Sequence, residues 1–160
     1  MAIALKLEDY MRRHGVHYEV LSHPQSRTSI ETARLAHIPA DSLVKSVVLE
    51  DDNGQFVMAV LPSTHHVQIG RLGRELDCSL HLASEADVTR VFEDCEPGAI
   101  PPVGAAYGMR MVIDDSLAEQ SDLYFEAGDH EQLVHVRRDE FMALMENAGH
   151  TRFDERPRHH

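Results

Sequence analysis

The sequence predicts an α+β domain, in which helices flank a curved sheet that is mixed or mostly antiparallel, as in a partial barrel. Short strand-like runs are joined as hairpins, and helix-like segments lie among them without the regular alternation of a doubly wound sheet. No glycine-rich dinucleotide fingerprint follows a strand. With 160 residues, 42% of them hydrophobic, the chain can bury one sizeable core. We therefore expect a single domain over residues 1–150 and a polar tail over 151–160.

The first part of the chain predicts two helices with a strand between them. In chain order we expect a helix over Lys6–His14, a strand over Val16–Leu21 and a helix over Ile30–His37. Gly15 suits the position just beyond a helix end. Thr28 or Ser29 can cap the second helix, because a side-chain oxygen there accepts a hydrogen bond from a free amide of the first turn. Pro39 ends it.

A hairpin occupies the centre of the chain. Asn53-Gly54 separates the apolar runs Leu43–Leu49 and Gln55–Leu61, and this pair is the strongest short-range hairpin signal. Pro62 ends the second run. The remaining segments predict helices over Ile69–Leu76 and Glu85–Phe92, the second capped by Ser84, and a rigid loop over Pro97–Gly104. They also predict strands over Met109–Ile113, Leu123–Ala127 and Leu133–Val136, and a last helix over Phe141–Ala148 that Arg138 or Asp139 starts.

The net charge of −12 argues against a broad nucleic-acid interface, because such interfaces carry clustered lysine and arginine that neutralise phosphates. A few short-range contacts to a nucleic-acid end remain compatible with this charge. Local basic patches lie at Arg12-Arg13, Arg71/Arg74, Arg137-Arg138 and in the C-terminal tail. Any affinity for RNA alone should be weak and salt-sensitive, and a partner protein could add to it.

Several classes of protein are disfavoured. The longest apolar run, Phe56–Leu61, is too short to cross a bilayer, and the N-terminus lacks the pattern of a secretory signal. Cys78 and Cys95 show no CxxC spacing, so we expect reduced thiols in a cytoplasmic protein. Without HExxH or paired CxxC motifs we expect neither a metal nor a cofactor, and without GxSxG we expect no serine hydrolase.

Lys45 is the first candidate functional residue. In a strand, alternate residues share a face, so Lys45 shares one with Leu43, Val47 and Leu49. A lysine among large aliphatic side chains either extends to an edge or lies in a pocket, where it needs an anionic partner. Position alone favours the structural alternative, in which the lysine guards a strand edge against pairing.

Two further segments could line a site. The loop Pro97–Gly104 combines prolines and glycines, which can aim backbone amides at a carbonyl or a developing oxyanion. A stiff connection between a helix and a strand is the alternative explanation. His130, at the predicted turn after Gly128, could be a polar pocket residue or a proton carrier, since imidazole titrates near neutral pH. A surface histidine is the alternative.

Taken together, these features resemble the YbaK/prolyl-tRNA synthetase-associated editing domain family. The resemblance spans the chain through its last helix. It rests on five segments, which are Lys45-Ser46-Val47-Val48-Leu49, Ala59-Val60-Leu61-Pro62, the loop from Pro97 to Gly104, Val112-Ile113-Asp114 and Ala127-Gly128. It implies a YbaK-like fold and trans-editing, which is hydrolysis of the ester between a small non-cognate amino acid and the terminal ribose of a tRNA, usually the tRNA for proline.

The resemblance also implies roles for individual residues. Lys45 matches the lysine that positions the terminal adenosine or the aminoacyl group, and Gly98 and Ala99 match the loop whose amides approach the substrate carbonyl. These three are the expected catalytic residues. The expected substrate-binding residues are His23, Ser46, Pro62, Pro102, Gly104, Gly128 and His130. The implied partners are the acceptor end of an aminoacyl-tRNA and a tRNA synthetase, with a monomer favoured and no membrane involved.

Two departures leave the amino acid open. The alanine-specific branch usually has asparagine after the lysine, whereas Ser46 stands here, and the Arg-Gly stretch of the cysteine-editing branch is missing. Alanine, serine, threonine, cysteine and a non-protein analogue all remain candidates. Two other functions also remain open: hydrolysis of a different aminoacyl or acyl ester, and a non-enzymatic module that binds charged tRNA or a synthetase.

Overall fold

The computed structural model describes residues 3–24, 26 and 28–155, and it confirms the α+β class. The helices are α1 (Leu5–Arg13), α2 (Ser29–Leu35), α3 (Ile69–Leu76), α4 (Glu85–Val91) and α5 (Arg138–Leu144). The strands are β1 (Glu19–Ser22), β2 (Leu43–Asp51), β3 (Phe56–Pro62), β4 (His66–Val67), β5 (Leu80–Leu82), β6 (Arg110–Asp114), β7 (Asp122–Glu126), β8 (Gln132–Arg137), β9 (Gly149–Thr151) and β10 (Asp154–Glu155). Short 3₁₀ turns cover Ala40–Ser42, Gly104–Tyr107 and Asp115–Glu119.

Within the described ranges, the main sheet is open and mixed, with the strand order β1-β8-β7-β2-β3-β6-β9, and β5 also pairs with β2. The pairs β2–β7, β3–β6 and β6–β9 are parallel. The pairs β1–β8, β7–β8, β2–β3 and β2–β5 are antiparallel. Strands β4 and β10 form a separate antiparallel pair. The mixed sheet predicted from the hairpin signals is therefore present.

The central hairpin forms for the reason that its turn residues suggest. Asp51 Oδ1 accepts hydrogen bonds from the amides of Asn53 and Gln55, each at 2.9 Å, and Gly54 has a φ of +77°. An Asx turn and a left-handed glycine together reverse the chain. This turn fixes the register, which places Lys45 opposite Leu61.

Strand β3 is buried on both faces and lies at the centre of the core. Met58 and Val60 belong to the larger apolar cluster, which includes residues of α1 and α5. Ala59 and Leu61 belong to the opposite cluster. A continuous apolar run, unlike an alternating one, is what a strand with two covered faces requires.

Thr28 caps α2 as predicted, since its side chain accepts a hydrogen bond from the Glu31 amide at 3.1 Å. Two other boundaries differ from prediction: β1 begins at Glu19 and not at Val16, and α5, which begins at Arg138 as expected, ends at Leu144 and not at Ala148. Val16 is buried against the core ahead of the strand. Its apolar character therefore reports packing and not strand pairing.

The C-terminal residues 151–155, expected as part of a polar tail, pack onto the domain. Thr151 pairs with Asp114 in β6, and the side chain of Phe153 is fully buried. The Phe153 amide donates a hydrogen bond to Asp114 Oδ2 at 2.9 Å. The rest of the expected tail, residues 156–160, lies outside the described residues. Among the helices that the structure describes, none has the length and apolar character needed to cross a membrane.

Candidate functional site

A break along one edge of β2 creates the candidate site. Strand β3 pairs with the whole of one side of β2, from Val44 to Glu50. On the other side, β7 pairs only with Leu43 and Val44, and β5 pairs only from Leu49 onward. The strand segment from Lys45 to Val47 therefore has no strand partner on that side within the described part of the chain.

The break opens into a cavity of about 190 Å³. Its walls come from the start of β2, the end of β7 and the loop after α4, and the lining residues are Leu43, Val44, Lys45, Ser46, Gly98, Ile100 and Glu126. Pockets for drug-sized ligands measure roughly 300–1,000 Å³, so this cavity suits a smaller group. Of the expected site residues, the structure brings Lys45, Ser46 and Gly98 together here.

Lys45 is half-buried in this cavity, and burial lowers its pKa below the ordinary lysine value. Desolvation has this effect because it disfavours the charged form. The sequence predicted an anionic partner for a pocket lysine, but Lys45 forms no ion pair or hydrogen bond with any residue that the structure describes. Its ammonium group is therefore available to an anionic part of a ligand.

Glu126 is the site residue that sequence reasoning missed. Burial raises the pKa of its carboxyl to about 7; the nearby Asp129 raises it further, and His130 and a hydrogen bond from Thr32 oppose the shift. Among the residues that the structure describes, Oε1 accepts only a long hydrogen bond from Thr32 Oγ1, at 3.5 Å, and Oε2 is buried without a partner. Glu126 and Lys45 line one cavity without forming an ion pair. In sequence, Glu126 reads as a solvent-facing strand residue, because β7 alternates buried and less buried positions.

The loop wall of the cavity is held by two features. Gly98 has a φ of +81°, and a Cβ atom placed on it would lie 3.2 Å from His130 Cε1. The carbonyl of Ile100 accepts a hydrogen bond from Ser46 Oγ at 3.2 Å. Ser46 thereby ties the loop to β2. Within the described residues, the amides of Gly98 and Ile100 have no hydrogen-bond partner.

Ala99 does not fit the expected role. Its side chain is fully buried, and its amide donates to the Glu96 carbonyl at 3.0 Å. An amide that closes a local turn cannot at the same time approach a substrate carbonyl. The amides of Gly98 and Ile100 are the better candidates in this loop.

His130 lies beside the cavity and not in its lining. It has a φ of +61°, and its Nε2 hydrogen bonds to the Pro97 carbonyl. A carbonyl only accepts, so Nε2 carries the proton and Nδ1 remains as an acceptor when the ring is neutral. The ring contacts Gly98 and influences the Glu126 carboxyl electrostatically. His130 therefore braces the loop wall.

Two expected binding glycines are packing residues. A Cβ atom on Gly104 would lie 3.1 Å from Met111 Cγ, and one on Gly128 would lie 3.1 Å from the Ala4 Cβ atom. The Gly128 carbonyl also accepts from the Glu96 amide at 2.7 Å. Both positions allow chain segments to approach closely, and neither lines the cavity.

The other expected residues lie outside the cavity wall. Pro62 pairs with Val44 at the end of β3, and Pro102 is buried in the loop. His23 is 6% exposed; its amide donates to the Glu131 carbonyl at 2.8 Å, and its Nε2 has no partner. These residues shape the surroundings of the cavity.

A second cavity, of about 230 Å³, lies on the other side of the same loop and shares Gly98 and Ile100 with the first. It reaches α4 and Cys95. Burial raises the Cys95 pKa to about 12, so the thiol is neutral at physiological pH. No group of three or more histidine, cysteine, aspartate or glutamate side chains among the described residues could hold a metal ion.

Comparison with known proteins points to one family. Residues 23–144 match the family model described as aminoacyl-tRNA editing domain. Proline–tRNA ligase of Trichlorobacter lovleyi is 27% identical over 110 residues, which cover 68% of this chain and 19% of the ligase. Proline–tRNA ligase of Methylobacillus flagellatus is 30% identical over 118 residues, covering 71% of this chain and 20% of the ligase. The chain thus spans about a fifth of the length of these relatives.

Solved structures share the fold. A candidate trans-editing enzyme for prolyl tRNA synthetase superposes with a TM-score of 0.83 at 21% identity, covering 95% of this chain and 96% of that one. The hypothetical protein APE2540 also gives a TM-score of 0.83, at 20% identity, covering 94% of this chain and 99% of that one. The YbaK-like fold expected from the sequence is therefore confirmed.

Proposed function

Because this chain belongs to the aminoacyl-tRNA editing domain family, we propose that it is a trans-editing deacylase. It removes a small non-cognate amino acid from the 3′ end of a tRNA, and the relatives named above favour the tRNA for proline. The observation that supports this proposal is the half-buried Lys45, whose ammonium group lacks a partner in a small cavity beside the Gly98–Ile100 loop.

The reaction requires little from the protein. An aminoacyl ester is already reactive, so positioning the ester and stabilising the oxyanion supply much of the acceleration. A water oxygen attacks the ester carbonyl carbon, the bond to the ribose oxygen breaks, and a proton passes from the water to that oxygen. The free amino acid and a tRNA with a ribose hydroxyl are the products. The neighbouring ribose hydroxyl of the substrate can orient the water.

In this mechanism Lys45 acts as an electrostatic clamp on a negatively charged part of the substrate, either a phosphate near the terminal adenosine or the developing oxyanion. The unpartnered amides of Gly98 and Ile100 add donors on the opposite wall. Ser46 holds the loop through its hydrogen bond to Ile100. The volume of about 190 Å³ favours a small aminoacyl group.

The charge of the chain favours recognition of the acceptor end over recognition of the tRNA body. A net charge of −12 repels the phosphates of a whole tRNA at long range. We propose that a tRNA synthetase presents the charged end. The same charge supports a second candidate, a hydrolase of another small aminoacyl or acyl ester that makes no contact with the tRNA body.

The test is a deacylation panel on tRNA for proline charged with alanine, serine, threonine, cysteine or proline. The wild-type protein should hydrolyse at least one small aminoacyl ester and spare proline. Lys45→Ala should lower kcat/KM about 100-fold or more, as removal of an oxyanion-stabilising group does. Lys6→Ala is the matched control, because Lys6 and Lys45 are the two lysines of the chain and Lys6 lies outside the cavity lining.

An unchanged rate for Lys45→Ala would remove the lysine from the mechanism. Equal rates on full-length tRNA and on a short acceptor-end mimic would favour the second candidate. Tight binding of charged tRNA with no loss of the ester, across the whole panel, would instead indicate a non-enzymatic binding module.

A further inference from the structure

The mechanism above leaves Glu126 unused, although this residue lines the same cavity as Lys45. The cavity therefore holds one basic and one acidic side chain, and no ion pair or hydrogen bond joins the two among the described residues. Buried charges are normally paired, because removing an ion from water is unfavourable. Two unpaired opposite charges in one small cavity match a ligand that itself carries both signs.

The hairpin that carries Glu126 also carries other unpaired acceptors. Within the described part of the chain, Oε2 of Glu126, Oδ2 of Asp129 and Oε1 of Gln132 are buried without partners, and the Asp129 carboxylate acts electrostatically on Glu126. His23, attached to this hairpin through the Glu131 carbonyl, adds a fourth such atom. Its Nδ1 lies 2.8 Å from the Pro24 carbonyl and must donate there, so the orphan Nε2 is an acceptor when the ring is neutral.

Native proteins leave few buried polar atoms unsatisfied, and a group of them calls for a ligand or ion that completes their hydrogen bonds. The acceptors here call for a donor, and a carboxylate among them calls for a cationic one. An ammonium group supplies three donors and a positive charge. Each aminoacyl ester of an α-amino acid carries such a group two bonds from its carbonyl carbon.

We propose that Glu126 binds the α-ammonium group of the aminoacyl ester, while Lys45 meets the negatively charged part of the same substrate. This inference deepens the proposed function and rests on it. It makes Glu126 a specificity-determining residue for a free α-amine. Esters whose amine is acylated, including peptidyl esters, lack the charge and add bulk where the carboxylate lies. The site therefore spares them.

The test compares two esters on an acceptor-stem minihelix of tRNA for proline: the aminoacyl ester cleaved fastest in the deacylation panel and its N-acetyl derivative. Wild-type protein should cleave the free-amine ester about 100-fold faster, since loss of one partner of a buried charge pair has an effect of this order. Glu126→Gln should lose most of that preference by slowing on the free-amine ester, with less than about a threefold change on the N-acetyl ester.

Two variants serve as controls. Glu93→Gln makes the same chemical change at an exposed position and should keep the wild-type preference. Glu126→Asp keeps the charge on a shorter side chain and should retain part of the preference, which a purely structural role would not predict. Should Glu126→Gln fail to fold, the wild-type preference and Glu126→Asp still decide the question.

Equal loss on both esters in Glu126→Gln would overturn the inference and indicate a general base acting on water. A wild-type protein without preference for the free amine would overturn it as well. Binding of a non-hydrolysable 3′-alanylamido-adenosine, compared with its N-acetyl form, tests the role of Glu126 separately from the deacylase activity. Amine-dependent binding without hydrolysis supports the role of Glu126 and contradicts the deacylase, whereas hydrolysis without amine dependence does the reverse.

Discussion

The two cavities on either side of the Gly98–Ile100 loop share a wall and differ in how their polar groups are satisfied. In the Cys95 cavity the thiol contacts Tyr107 Oη at 3.3 Å and Asp94 Oδ1 at 3.4 Å, and the tyrosine donates to the same carboxylate at 2.7 Å. These groups satisfy one another. In the Lys45 cavity, the ammonium group and Glu126 Oε2 have no partner among the described residues.

This difference in hydrogen bonding separates a structural cavity from a ligand-binding one. A closed hydrogen-bond network stabilises the fold and leaves nothing for a ligand, whereas unpaired buried charges reduce stability unless a ligand completes them. By this criterion the Lys45 cavity is the candidate functional site, and the groups around the Cys95 cavity stabilise the fold. Four substitutions, with progressively smaller expected effects, test this contrast.

The largest effect is expected from Gly98→Ala in the wall that both cavities share. A side chain is strained at a φ of +81°, and the added Cβ atom would lie 3.2 Å from His130 Cε1, so the loop or the histidine ring must shift. We expect kcat/KM to fall by up to about 100-fold, which is the effect of displacing a positioning group by about 1 Å. Steady-state deacylation kinetics measure this loss of activity. Gly108→Ala is the control, because Gly108 has a φ of +70° and a Cβ atom added there would meet no atom within 4 Å. Equal losses in both variants would attribute the effect to backbone strain alone.

His130→Ala should have a smaller effect on the same wall. It removes the hydrogen bond to Pro97 and the packing on Gly98, so the loop loosens without a clash, and we expect kcat/KM to fall about tenfold. His130→Gln can restore part of the rate, because its side-chain amide can donate to the carbonyl. A rate at the wild-type level in His130→Ala would show that the loop holds its position without this brace.

Glu126→Gln tests whether the unpaired carboxylate lowers stability. Because its folded-state pKa of about 7 lies above the ordinary value of 4.5, the wild-type protein loses stability as pH rises from about 4.5 through about 7. Asp129, His130 and Thr32 act on the carboxyl, Lys45 lines the same cavity, and the variant keeps all four residues. Glu126→Gln should therefore be about 1–2 kcal/mol more stable than wild type at pH 8, and this advantage should vanish near pH 4.5.

Urea unfolding at several pH values measures the difference, with Glu93→Gln as the matched control. Parallel stability curves for wild type and Glu126→Gln would contradict the raised pKa of the carboxyl.

The smallest effect is expected from Cys95→Ala in the satisfied cavity. With its pKa raised to about 12 by burial, the thiol is no nucleophile at neutral pH, so deacylation should change less than about twofold. A rate loss above tenfold, with unchanged thermal stability, would show that the Cys95 cavity is part of the functional site.

How far the sequence predicted this molecule depends on the kind of signal. Local signals worked well: the Asn53-Gly54 turn gave the central hairpin, and the Thr28 and Ser84 side chains cap α2 and α4. The turn signal and the capping signals act on residues at most four positions away along the chain, so they do not depend on the tertiary structure. The short strands β4, β5, β9 and β10 carry no such signal, because strands of two or three residues are specified by the partners that they meet.

The site residues also divide into those that a local sequence pattern reveals and those that it does not. Lys45 was recognisable, since a lysine among aliphatic residues in a strand is an anomaly within its own segment. The hydrogen bond from the Ala99 amide to the Glu96 carbonyl is not recognisable in the sequence, because this turn depends on the folded loop. Glu126 is not recognisable from the sequence, because an acidic residue at the end of an alternating strand is common. Its position becomes significant only when the opposite wall of the Lys45 cavity is known.

The longer helices and strands and the α+β class follow from local patterns, because helix caps, turn residues and apolar periodicity act over short distances along the chain. The arrangement of β7 and β5 along one edge of β2, with a gap between them, depends on long-range packing. That gap brings together a lysine, a glutamate and a glycine loop from distant parts of the chain. Whether a charge is paired or left free depends on such long-range neighbours, and no local pattern encodes it.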